Sequence, residues 1–265
     1  MYTSDRAEGS GPFYAQIGAV LIAGALFAWW MAARADRQMR AGLRQEARLV
    51  AQGVNLGHVK ALQGTQADLA SPAYIQLKEQ LSLVRQASER CRFIYLLGRK
   101  ADGTLFIFMD NEPPGSPDYS PPGQVYNEAP EGFRHVFDTR TETAEGPVTD
   151  RWGTWVSALV PLADPQSGQI LAVLGMDSDA QAWKWEVAAK AALPVGLMLV
   201  LLIGVTAFFA ADRRADPSPK PVLRRLLPPL AAIVILLVVG AGALVWQLQS
   251  QRLAGDITAH VREVS

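Results

Sequence analysis

Two stretches of this chain hold the residue types that could bind a ligand. One runs from Asn111 to Pro130 and carries Pro113, Pro114, Pro117, Pro121, Pro122 and Pro130 together with Tyr119 and Tyr126. Proline fixes φ, and a loop this long inside a compact domain is usually either functional or disordered. The other is Asp150-Arg151-Trp152-Gly153-Thr154-Trp155, where a guanidinium sits beside two indoles at the start of a strand pattern. Aromatic walls with a few charged groups are what a small-molecule pocket requires. We therefore expect the Pro-rich loop and the Asp150–Trp155 segment to wall one pocket. In it, Tyr119, Tyr126, Trp152 and Trp155 would pack the apolar part of a ligand, and Arg151 would recruit an anionic or carbonyl group. A planar guanidinium can hold a carboxylate through two hydrogen bonds, so the expected ligand is an anionic small molecule. Plainer uses stay open: Trp155 as core, Arg151 paired with Asp150 at a turn, and the tyrosines as fixings for the loop.

Other chemistries are poorly served. His58, His135 and His260 are far apart, so no metal site is expected. No GxxxxGK and no strand-linked GxGxxG occurs, and Ser157 lies in a strand pattern with no base placed to activate it. No catalytic residue and no cofactor is expected. The single cysteine, Cys91, rules out an intrachain disulfide and leaves a packed thiol or a bridge between two copies. With 25 Lys plus Arg against 25 Asp plus Glu, the net charge is zero, which gives no reason to expect nucleic acid as a partner.

The elements that must position these residues follow from periodicity. From Arg34 to about Leu56, apolar residues recur every three or four positions at Met39, Leu43, Ala47, Val50 and Val54, the pattern of a stalk helix. A second helix should begin after Ser71-Pro72, a cap followed by proline at the first helical position. The runs Arg92–Leu97 and Thr104–Met109 flank Ala101-Asp102-Gly103 and read as a hairpin. A short helix around Glu131–Asp138 and strands over Thr143–Val148, Thr154–Leu162 and Gln169–Met176 complete the domain. The expected fold is α+β, an antiparallel sheet of five strands with helices packed on it.

Three uncharged stretches lie outside this domain, between Glu8 and Arg34, between Lys190 and Asp212, and between Arg225 and Arg252. Each exceeds the ~20 residues that cross a bilayer. The expected organisation is a cytoplasmic tail at 1–11, a first membrane helix at 12–33 and a soluble domain at 34–190. A second membrane helix at 191–211, a cytoplasmic loop at 212–225 and a third membrane helix at 226–247 follow. The last segment, 248–265, would start another outer helix, because its apolar stripe is still running at Ser265. Arg213, Arg214, Lys220, Arg224 and Arg225 place the short loop in the cytoplasm and hence the soluble domain outside. The arginines after the first stretch, Arg34 to Arg48, argue the other way, but long domains translocate largely regardless of charge.

The order of elements, the position between two membrane stretches, and the blocks GPVTDRWGTWVSALVPL and GQILAVLGMD carry a resemblance. So does DYSPPGQVY, which is similar to a loop met in some multidomain kinases. The chain resembles the extracytoplasmic Cache, or PAS-like, sensor domains of bacterial transmembrane sensor histidine kinases and related receptors, from Arg34 to about Lys190. The resemblance implies a homodimeric receptor in the bacterial inner membrane whose periplasmic or outer domain binds a small ligand. It also implies a downstream kinase or cyclase module, none of whose motifs is in this sequence, so no enzyme activity is expected of it. It allows Asp177 and Asp179, at the end of the last strand, a ligand contact; they could equally cap the next helix. The competing expectation is a membrane-anchored scaffold that binds another protein.

Overall fold

A computed structural model describes residues 11–215. The expected membrane helix at 226–247 and the segment 248–265 lie outside the described residues. Ala32–Ala191 form one compact unit, and the residues flanking them belong to another.

Helix α1 spans Gly11–Gly53, and from residue 35 onward its apolar stripe is buried at Met39, Leu43, Ala47 and Ala51. Two short pieces absent from the periodicity reading follow: helix α2, Leu56–Ala61, capped by the Asn55 side chain, and a 3-10 turn at Gln66–Ala70. Helix α3, Pro72–Ala87, begins as expected, with Ser71 Oγ accepting from the Tyr74 N–H and proline in the first turn. Its stripe Tyr74, Leu77 and Leu81 is buried.

The five strands are β1 (Phe93–Arg99), β2 (Leu105–Asp110), β3 (Thr143–Asp150), β4 (Gly153–Ala163) and β5 (Ile170–Asp179), with helix α4 (Glu131–Thr139) between β2 and β3. All pair antiparallel in the order β2-β1-β5-β4-β3, so the last strand lies at the centre, flanked by β1 and β4. Side chains alternate across a pleated strand, and here the two faces have separate cores. One face presents Ile94, Leu96, Val156, Ala158, Leu174 and Met176 to α1, α2 and α3. The other presents Phe93, Tyr95, Leu97, Trp155, Leu159 and Val173 to α4 and the Pro-rich loop. Both faces are covered, which explains why β1, β4 and β5 read as nearly continuous apolar runs.

Helix α5, Ala180–Ala215, follows β5 without a break, and Asp179 caps it by accepting from the Ala182 N–H at 2.7 Å. Its segment Ala180–Gly204, in which a stretch of 18 residues has mean hydropathy 2.2, has the length and composition to cross a membrane. Among the described residues it is the one segment that passes that test. Leu193, Leu197 and Val200 on it are exposed, as are Leu21, Ile22 and Leu26 on α1. Apolar surface of that extent needs a cover.

Candidate functional site

The Pro-rich loop is ordered because it is tied down at both ends. Its second half runs back along the free edge of β2: Gly123 N–H donates to Ile107 O, Ile107 N–H to Gln124 O, and Tyr126 N–H to Leu105 O. An edge strand left open would present unpaired backbone groups, and the loop covers them. At the other end the Asp110 carboxylate accepts the N–H groups of Glu112 (2.7 Å) and Ser120 (2.6 Å). Arg92 adds a clamp, bonding Glu112 Oε1 at 2.8 Å and Asp118 Oδ2 at 2.7 Å. Lys78 of α3 reaches the carbonyls of Asp110 and Glu112.

Between this loop and the sheet lies a cavity with about 40 Å³ accessible to the centre of a water molecule. Aromatic side chains from β1, β4, the loop and the β3–β4 turn wall it: Phe93, Tyr95, Trp155, Tyr126 and Trp152. The rings brace one another edge to face, Phe93 on Trp155 at 4.9 Å between centroids and Tyr126 on Trp152 at 5.5 Å. Its polar lining is acidic, with Asp110, Asp118, Asp150 and Asp177.

Asp177 and Asp150 are held in different ways. On β5, Asp177 faces Ser157 of β4 and Phe93 of β1 across the ladders, and the Tyr95 hydroxyl donates to its Oδ1 at 3.0 Å. The Tyr95 ring lies across β5 at Gly175, where an added Cβ would stand 2.2 Å from the ring. Only a residue without a side chain lets that ring lie flat enough to bring its hydroxyl to Asp177. Burial pushes the Asp177 carboxyl up to about 7, and the nearby Asp150 charge adds to the shift, against the lowering effect of the Ser157 and Tyr95 hydroxyls. Asp150 instead organises the β3–β4 turn, its Oδ1 accepting from the N–H groups of Trp152 and Gly153 and from Trp155 Nε1. Its Oδ2 takes the Tyr126 hydroxyl at 2.8 Å. Gly153, at φ +151°, leaves room for the Trp155 indole, which a Cβ there would meet at 2.5 Å.

Of the residues singled out in the sequence, Tyr126, Trp152, Trp155 and Asp177 come together in this cavity. Tyr119 does not line it; its ring lies over the Lys78 ammonium at 4.9 Å. Arg151 stands outside as well, at the tip of the turn, where it forms a two-point pair with Glu128 (Nε to Oε1, 3.0 Å). Of the two roles left open for Asp177 and Asp179, the cavity takes the first residue and the helix cap the second. Phe93, Tyr95 and Asp110 escaped sequence reasoning, whereas Asp150 lies in the Asp150–Trp155 segment expected to wall the pocket. For Asp110 an acidic residue closing an apolar strand, at Met109-Asp110, was the available signal. Among the described residues no three His, Cys, Asp or Glu side chains stand close enough to share a metal ion. Cys91 is buried, its thiol pushed up to about 12 by desolvation, and donates to Phe93 O.

No protein-family model matches the sequence, and no curated protein does. Solved structures give partial likenesses. The ligand-binding domain of the Campylobacter jejuni chemoreceptor Tlp3 in complex with L-valine aligns over 69% of this chain and 68% of that one, at 11% identity and TM-score 0.42. The sensory domain of the same chemoreceptor aligns over 68% of both chains at 13% identity and TM-score 0.43. The periplasmic domain of RsbU from Chlamydia trachomatis aligns over 57% of this chain and 54% of its own, at 16% identity and TM-score 0.31.

Proposed function

We propose that this chain is the ligand-sensing input module of a bacterial transmembrane receptor of the sensor histidine kinase, two-component type. Its domain binds a small molecule in the periplasm or outside the cell and passes a conformational change to the membrane helices. It works as a homodimer with a downstream kinase or cyclase module, and it has no catalytic role of its own. The observation that carries this reading is the position of the cavity on β5. Asp177 lines the cavity, Asp179 two residues later caps α5, and the helix starts at Ala180. A ligand that moves the end of β5 therefore moves the first turn of α5, with no flexible linker to absorb the displacement. It can do so only as far as it binds one arrangement better than the other.

The reading is tested by thermal unfolding of the chain in lipid nanodiscs against a library of amines, amino acids, carboxylates and sugars. A ligand at 100 times its Kd adds ~2.7 kcal/mol of stability. At least one compound should stabilise the wild type and fail to stabilise Trp155→Ala. A library with no stabilising member, together with capture of a protein partner by the outer domain, would favour the scaffold instead.

A further inference from the structure

Independently of the receptor reading, we infer that the domain has a second ligand site, a cleft between the β1–β2 turn and α4 that takes a small hydroxylated carboxylate. The Arg134 guanidinium meets its carboxylate, and Asp102 and Asn127 meet its hydroxyl groups. The cleft holds about 360 Å³, which falls within the ~300–1,000 Å³ of small-molecule sites, against about 40 Å³ for the cavity under the Pro-rich loop. Tyr126 alone lines both spaces.

The first ground is the state of the cations. Two guanidinium groups line the cleft, Arg99 at the end of β1 and Arg134 on α4. Arg99 is already neutralised, its Nη1 bonding Asp138 Oδ1 at 2.5 Å. Asp138 lies in the last turn of α4, where the helix dipole disfavours a carboxylate, so Arg99 is committed to offsetting that charge. Arg134 has no such partner. Among the described residues no ion pair includes it, and its side chain makes one hydrogen bond, from Nη1 to the Gly103 carbonyl at 3.0 Å. That leaves uncommitted the Nε–Nη2 edge, the pair of parallel donors that a carboxylate takes.

The second ground is that this fork is held in place before any ligand arrives. Phe133, Val136 and Phe137 seat α4 on the sheet. The turn that supplies the Gly103 carbonyl is closed by Gly103 N–H to Lys100 O and Lys100 N–H to Thr104 O. A donor pair anchored from both sides loses little freedom on binding.

The third ground is the remaining lining, which sets the ligand class. Asp102 spends Oδ1 on the Thr104 N–H at 2.9 Å, and no ion pair among the described residues includes it, so its other oxygen is left to accept from a hydroxyl. Asn127 is exposed and its amide both donates and accepts. A bare anion gains Arg134 but meets the Asp102 charge, and a neutral polyol leaves the guanidinium unused. A molecule with an acid group at one end and hydroxyls along its length uses both, so the mixed charge of the cleft discriminates against the simpler compounds.

Calorimetry on the chain in nanodiscs tests the cleft with D-gluconate and D-glucuronate, each set against its uncharged counterpart, sorbitol and D-glucose. Acetate and inorganic phosphate serve as anions without the hydroxyl chain. At least one of the two acids should bind saturably, and about tenfold or more tighter than its counterpart, acetate and phosphate. Arg134→Gln should weaken it about tenfold or more, and Arg134→Lys, which keeps the charge without the planar fork, should restore only part of that loss. Asp102→Asn keeps an acceptor for the Thr104 N–H and should narrow the preference over acetate. Arg90→Ala, at the opposite end of β1, should change the affinity less than about twofold. If Arg134→Gln lowers the thermal midpoint, Asn127→Ala on the exposed loop carries the test and should weaken binding about threefold or more. Failure of both acids to bind saturably, equal binding of sorbitol, glucose, acetate or phosphate, or undiminished binding by a folded Arg134→Gln overturns the inference.

Discussion

Asp177 links two measurable properties, stability and pH. Its carboxyl is raised by burial, so the folded protein holds a proton that the unfolded chain releases near pH 4. The stability that this proton confers is fully present below about pH 4 and is lost as pH rises through about 7. Asp177→Asn removes the buried charge. Without ligand, the variant should exceed wild type in stability by a gap that widens from pH 4 to pH 7 and levels above it, at an order of a few kcal/mol. Urea unfolding at a series of pH values measures that gap, and a constant difference would refute the assignment. Gly175 is the second residue whose role is set by a neighbour. In Gly175→Ala the new methyl meets the Tyr95 ring, so the variant should lose about 1–3 kcal/mol and part of the Tyr95–Asp177 bond. Neither role is visible locally in the sequence, where Gly175 is one small residue in an apolar run and Asp177 could be a helix cap.

At the scale of elements, a polar clasp joins α1, α5 and β3. Trp183 Nε1 of α5 donates to Asp36 Oδ1 of α1 at 2.8 Å. Arg40 bonds Asp36 Oδ2 at 2.7 Å and the Gly146 carbonyl of β3 at 2.8 Å. Burial works to raise the Asp36 carboxyl, but the bonds from Arg40 and Trp183 outweigh it and leave it below the ordinary carboxylate range. Trp183→Phe should cost about 1 kcal/mol, read by chemical denaturation, and should loosen α5 against the stalk. Spin labels at Gln38 and Gln181 would report that separation. Under the receptor reading, saturating ligand should shift their distance distribution, and the shift should shrink in Trp183→Phe. An unchanged distribution would exclude this coupling route. The elements themselves were largely legible, because the stalk stripe, the Ser71-Pro72 start and the strand runs are local patterns of period and capping. The pieces missed, α2 and the 3-10 turn, are too short to show a period.

At the scale of the whole molecule, the proposed topology has the soluble domain outside the membrane and the loop at 212–225 inside. In a Cys91→Ala background, cysteines introduced at Ser116 and Ser218 should differ in spheroplasts: an impermeant thiol reagent should label the first and not the second. The reverse pattern would invert the orientation. The sequence alone determined the long uncharged stretches, the α+β order of elements and the gathering of aromatic residues near one loop and one turn. These are properties of composition and short-range periodicity, which act without regard to the distant chain. Only the tertiary structure decided the charge of the pocket. Arg151 and Trp152 are adjacent in sequence, yet the turn sends the guanidinium out to Glu128 while the indole lines the cavity. Asp110, Asp150 and Asp177 lie far apart in the chain and meet because β5 was inserted between β1 and β4. Successive residues of a strand point to opposite faces, so which charges converge depends on register between strands, and register is settled by the packing of both faces together.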